Sequence, residues 1–168
     1  LGGKTTALRW LYGKTEGLQT GEFTAIEDET NRTLFFDYLP ISAGGRVLFD
    51  VFTVAGQKRH KHQRKVIMQG TDGVIFVADS LPEQRDENLD SYNELKGHLN
   101  DMQGVEIVVM LNKRDLPNRM SRDEMLDLLG LPKTSTFIYE SIATQGVGVK
   151  RAFQAIARQV ILKKMYKQ

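Results

Sequence analysis

A chain of 168 residues can build one domain with a substantial core, and its 40% hydrophobic and 26% charged residues match an ordinary globular protein. Lacking cysteine, it can hold neither a disulfide nor a cysteine-ligated zinc, which fits a reducing compartment. A formal net charge of +2 is too small to point to nucleic acid, and no apolar run nears the roughly 18 residues that cross a bilayer.

Leu1-Gly2-Gly3-Lys4-Thr5-Thr6 reads as the second half of a phosphate-binding loop, G-x-x-x-x-G-K-[ST]. The first glycine of that pattern, and the strand that feeds the loop, would lie upstream of Leu1. A helix is expected from about Lys4 to Tyr12, with Leu8, Leu11 and Tyr12 on its apolar side and Gly13 ending it. Residues 13–31 are polar and read as one long irregular loop, a length that commonly carries function. Leu34–Leu39 and Val47–Val54 are apolar, β-branched and aromatic runs, and the Ser42-Ala43-Gly44-Gly45 turn between them predicts an antiparallel hairpin.

Residues 58–65 carry five fixed positive charges and two histidines. A charge run is usually a solvated face; the sharper reading is a docking surface for an acidic partner. Gly73–Asp79 and Val105–Leu111 are continuous apolar runs of the kind buried on both faces of a parallel sheet. Between them Leu89, Tyr92, Leu95, Leu99 and Met102 recur at helical spacing. Ser121-Arg122-Asp123-Glu124 is a capping box opening a helix that Gly130 and Pro132 stop. Thr136–Tyr139 is a short strand, and Val149, Phe153, Ile156, Val160 and Met165 mark a terminal helix. Strands alternating with helices predict an α/β fold: a mostly parallel central sheet, one antiparallel strand, helices on both faces.

Three segments carry chemistry. In a G-K-T loop at a helix N-terminus, backbone N–H groups face phosphate oxygens; Gly3, Lys4, Thr5 and Thr6 are the candidates. Lys4 would reach the β- and γ-phosphates and the Thr5 hydroxyl would ligate Mg²⁺. Alone, this is a weak signal, since a glycine pair before a helix is commonly just a turn. Asn112-Lys113-Arg114-Asp115 is more specific, because it directly follows an apolar strand, where open α/β sheets bind ligands. The Asp115 carboxylate can accept two hydrogen bonds, from guanine N1–H and its exocyclic amine. Adenine lacks that pair and would leave a polar group unpaired, at about 1–3 kcal/mol. Asn112 would tie this loop to the phosphate loop, and the Lys113 stem would cover the base. After the last strand, the Ala143 backbone N–H could bind the base carbonyl.

Together these motifs resemble the Ras-like small GTPases over the whole chain, most closely the prokaryotic gliding and polarity GTPase family MglA. The closer match rests on Glu29-Thr30-Asn31-Arg32-Thr33-Leu34-Phe35-Phe36-Asp37-Tyr38-Leu39-Pro40, on Thr53-Val54-Ala55-Gly56-Gln57 and on Asn112-Lys113-Arg114-Asp115-Leu116-Pro117-Asn118. The resemblance implies a P-loop small-GTPase fold, binding of GTP and GDP with Mg²⁺, and hydrolysis of GTP. It makes Thr33 the threonine that closes on Mg²⁺ and the γ-phosphate. Gln57 becomes the glutamine orienting the attacking water, and Arg32 a built-in arginine finger, worth roughly 10³–10⁵ in rate. It also implies a roadblock-type activating dimer of the MglB kind, downstream polarity or motility effectors, and a cytoplasmic protein that partners recruit to a pole or membrane. No nucleic acid is expected, and the Lys163–Lys167 tail has no terminal cysteine for prenylation.

The wider superfamily has D-x-x-G where this chain has Thr53, which removes a carboxylate from the metal's surroundings; Asp50 and Asp79 are the alternative carboxylates. That substitution motivates a rival reading, an interaction module with little hydrolysis. An ATP-dependent kinase is a third, disfavoured by Asn112–Asp115. The expected organisation is a single G domain over residues 1–168, cut within its phosphate loop. Its first strand would lie between those at 47–54 and 73–79. A molecule truly starting at Leu1 would face two strand edges across a gap and bind nucleotide poorly.

Overall fold

The computed structural model describes residues 2–14, 17–27, 29–30, 33–56 and 60–166, with the backbone alone at 14, 26, 27, 34 and 35. The expectations on Leu1, Asn31, Arg32, Gln57, Lys58 and Arg59 fall outside those residues. In chain order the elements are α1 (Lys4–Lys14), β1 (Leu18–Thr20), β2 (Thr24–Glu27), β3 (Thr33–Ala43), β4 (Val47–Val54), α2 (Lys61–Met68), β5 (Gly73–Asp79), α3 (Arg85–Asn100), β6 (Glu106–Asn112), α4 (Arg122–Leu129), β7 (Ile138–Glu140) and α5 (Val149–Tyr166).

The described strands form two sheets. One is parallel, in the order β5-β6-β7, with Asp79 opposite Asn112 at its C-terminal rim. The other is antiparallel: β3 pairs with β1, β2 and β4, and Asp37 lies opposite Thr53. One antiparallel strand was expected, so β1 and β2 correct the reading of residues 13–31 as structureless. Both are short, three and four residues, and they form because the eleven-residue β3 offers them an edge. Helix α1 also continues through Gly13, and Tyr12 is half exposed against the Phe23 ring instead of lying in the core.

β6 organises the interior. Its side chains alternate between two apolar clusters, as a strand covered on both faces requires. Val108 and Met110 join Leu8 and Leu11 of α1, Leu39 and Ile41 of β3, and Phe153 and Ile156 of α5. Val109 and Leu111 join Met68 of α2, Tyr92 and Leu95 of α3, and Met125 and Leu129 of α4. β5 is less covered than its apolar run predicts. Only Ala78 and Asp79 are fully buried, because within the described residues β5 pairs on one side alone. The Ser121 capping box forms with both of its hydrogen bonds, and Gly130 closes α4 in the left-handed conformation at φ 66°.

Candidate functional site

The C-terminal ends of β5 and β6 and the N-terminus of α1 meet at one rim, the position at which open α/β sheets present ligand sites. Asn112 is its hub and is buried. Its Nδ2 donates to the Gly2 carbonyl at 2.9 Å, which ties the G-K-T segment to the end of β6 as expected. Its Oδ1 accepts from Ser141 Oγ at 3.1 Å and from the Ala143 backbone N–H at 2.9 Å. The Ala143 amide, expected to face a base, thus bonds to Asn112 here. Gly3, at φ 96°, passes so close to Asn112 Nδ2 that a Cβ there would collide with it, so glycine is required twice over. Trp10 of α1 likewise lies against Gly146 (φ 73°), packing the loop helix on the turn after β7.

Lys113, at φ 64°, is the sole described non-glycine residue with positive φ. Its Nζ pairs with Asp79 Oδ2 at 2.5 Å. Arg114 fastens the same loop elsewhere: Nε bonds Glu140 at 2.8 Å and a terminal nitrogen donates to the Met120 carbonyl at 2.6 Å. Asp115, the expected base reader, is exposed at the mouth, and Thr6 is also exposed.

A second group forms where α1, β3 and β4 converge. Asp37 is fully buried. Thr5 Oγ1 donates to Asp37 Oδ2 at 2.7 Å, and the Thr53 hydroxyl donates to the same oxygen. The single Thr33 proton serves Asp37 Oδ2 at 3.3 Å or Thr5 Oγ1 at 2.9 Å. Asp37 Oδ1, also buried, has no hydrogen-bond partner among the described residues. Two hydroxyls bonded to one carboxylate oxygen, a third within reach of it, and a second oxygen unsatisfied among the described residues form an all-oxygen set that suits a hard cation such as Mg²⁺.

The sequence reading named Asp50 and Asp79 as the alternative carboxylates and did not single out Asp37. Asp50 lies on the outer face of β4 and accepts from Tyr38 Oη at 2.7 Å, while Asp79 pairs with Lys113. A signal was available, because Asp37, Leu39 and Ile41 alternate inward on one strand, and a charge on a buried face needs a partner.

Burial pushes the Lys4 ammonium below its ordinary value; Arg64 pushes it further, and Asp37 and Glu87 oppose the shift. A Cβ on Gly56 would lie 3.1 Å from Lys4 Nζ, so the chain after β4 passes directly over this lysine. Beyond it the basic run divides. Lys61, His62 and Lys65 are exposed, but Arg64 is largely buried: it donates twice to the Glu94 carboxylate on α3, at 2.7 and 3.0 Å, and to the Ala55 carbonyl at 2.7 Å.

The ADP-ribosylation factor family matches residues 2–160. Along 95% of its length the chain is 39% identical to the mutual gliding-motility protein MglA of Myxococcus xanthus (strain DK1622), of which it covers 85%. Its fold is similar to that of the Arl6 (BBS3) small GTPase from Trypanosoma brucei, solved with the nucleotide analogue GppNp. The TM-score is 0.71 at 21% identity, over 95% of this chain and 91% of that one, a likeness of fold. With both halves of the rim in place, the chain belongs to the ADP-ribosylation factor family, among the Ras-like small GTPases.

Proposed function

We propose that this chain is a guanine-nucleotide switch that binds GTP and GDP with Mg²⁺ and hydrolyses GTP by in-line attack of water on the γ-phosphate. The observation that carries the reading is the junction of Thr5, Thr33, Thr53 and Asp37. It joins the phosphate-loop helix to the start of β3 and the end of β4, the two places from which nucleotide-dependent segments depart. Gly3, Lys4 and Thr5 hold the phosphates, and Asp115 reads the guanine edge within a loop that Asn112 and Arg114 fasten. Thr5 and Thr33 would hold the metal directly, and Asp37 would orient them and supply the negative charge that Thr53 cannot. When bound, Mg²⁺ neutralises charge on the β- and γ-phosphate oxygens.

Catalysis in this reading is positioning and charge stabilisation. Gln57 orients the water and Arg32 faces the developing charge. The γ-phosphate holds Thr33 near Thr5, and its loss frees the segment before β3. The 39% identical relative is a gliding-motility protein. It supports an output in motility or polarity, with a roadblock-type dimer as activator and recruitment to a pole by partners. A single-turnover GTP hydrolysis assay tests the enzyme. Gln57→Leu and Arg32→Ala should each slow the reaction, the latter by about 10³-fold, the low end for an arginine finger. Hydrolysis equally slow in the unaltered protein and in both variants would leave a binding module in place of an enzyme.

A further inference from the structure

We propose that Asp79 is a positioning residue for the base: it fixes Lys113 so that the lysine stem forms one wall of the guanine site. The proposal rests on the nucleotide reading above and adds to it a residue outside the phosphate and base motifs.

Asp79 ends β5 and is held from every side. Its backbone N–H donates to Asn88 Oδ1 at 3.0 Å, and Asn88 Nδ2 donates back to its carbonyl at 2.7 Å. Its Oδ1 accepts the Leu81 N–H at 3.1 Å. The carboxylate therefore has one orientation, and its second oxygen meets Lys113 Nζ at 2.5 Å. The Asp79 side chain is 5% exposed, so its charge is costly without a cation beside it.

The partner with more rotatable bonds in this pair is the lysine. Parallel register places Asp79 beside Asn112, and Lys113 leaves β6 in the left-handed conformation, which turns its chain back over the end of β5. The Lys113 carbonyl accepts the Leu116 N–H at 3.2 Å and closes the turn. The Lys113 side chain is 30% exposed, so part of it stays open to solvent even while its ammonium is paired. A long flexible side chain loses rotamer freedom when it serves as a wall. The fixed carboxylate removes that freedom before the base arrives, so the base need not do so.

The test uses the full chain with methylanthraniloyl-GDP and measures its dissociation rate. Asp79→Asn, which keeps an acceptor for Leu81, should release it on the order of tenfold faster, the size of one charge-assisted contact. Lys113→Met should do the same, and the double variant should be no faster than either. Asp79→Glu should recover part of the loss. The preference for GDP over inosine diphosphate, set at Asp115, should stay at its unaltered value in Asp79→Asn. Additive accelerations, a changed guanosine-to-inosine ratio, or unaltered release in Asp79→Asn or Lys113→Met would each overturn the proposal. If the unaltered protein binds neither GDP nor GTP, the nucleotide reading itself falls. Slow release by the unaltered protein together with unaltered Asp79→Asn removes this proposal alone.

Discussion

Asp37 places a buried carboxylate directly across the β3–β4 ladder from Thr53, and their side chains bond to each other. A carboxylate on either strand would therefore reach much the same place. If Asp37 serves the metal, Asp37→Asn should reduce the Mg²⁺ dependence of GTP affinity about tenfold or more, as expected for loss of a charged contact. Titrations with and without chelator measure it, and an unchanged ratio would remove Asp37 from the metal site. Asp115 makes a separate prediction. Asp115→Asn loses the acceptor pair for guanine N1–H and its amine, so GDP binding should weaken about 10- to 100-fold. The new amide can donate to the C2 carbonyl of xanthine, so xanthosine diphosphate should bind better than to the unaltered protein. Competition between the two diphosphates decides it.

The elements divide by how much of their stability is local. The capping box of α4 and the continuous apolar run of β6 carry their own instructions, and both form within a residue of where the sequence puts them. β1 and β2 do not. Leu18–Thr20 and Thr24–Glu27 have little apolar patterning, and they are strands only because β3 pairs with them. Helix α2 lies within a run that reads as bare charge, and Arg64 anchors it to α3 through Glu94. The hydrogen bonds from Arg64 hold the Glu94 carboxyl below its ordinary 4.5, against the opposing effect of burial and with help from His98. A depressed folded-state value means the clamp stabilises the protein fully above that ordinary value. The contribution is lost as pH falls through the folded value. Glu94→Gln should therefore flatten the acid limb of a melting-temperature profile below about pH 4.5 while costing stability at neutral pH. An unchanged limb would mean that the clamp is too exposed to matter.

The rim brings cations from different elements together in a partly buried place. Lys4 is the clearest case, since burial first, and then Arg64, lower its affinity for a proton. In the nucleotide-free protein the unfolded chain then binds that proton more readily, between the lowered folded value and the ordinary 10.5. Stability from this group accordingly rises with pH across that window. Phosphate favours the charged lysine, so GDP affinity should fall across the same window. Lys4→Met should abolish both slopes. Melting temperature and GDP affinity, each followed against alkaline pH, measure them, and parallel slopes would show that Lys4 does not face phosphate.

The sequence by itself determined what depends on near neighbours. Asn112-Lys113-Arg114-Asp115 follows an apolar strand, so its place at the rim was readable, as was the tie from Asn112 to the glycine segment. The turn glycines, the caps and the α/β alternation are local in the same sense, because backbone conformation and hydrophobic period act over a few residues. Only the tertiary structure decided the partners. Asp37 with Thr5 and Thr53, Asp79 with Lys113 and Arg64 with Glu94 join residues 16 to 34 positions apart along the chain. No local pattern specifies such pairs: a buried charge needs a counterpart, and strand register and helix packing decide which residue supplies it.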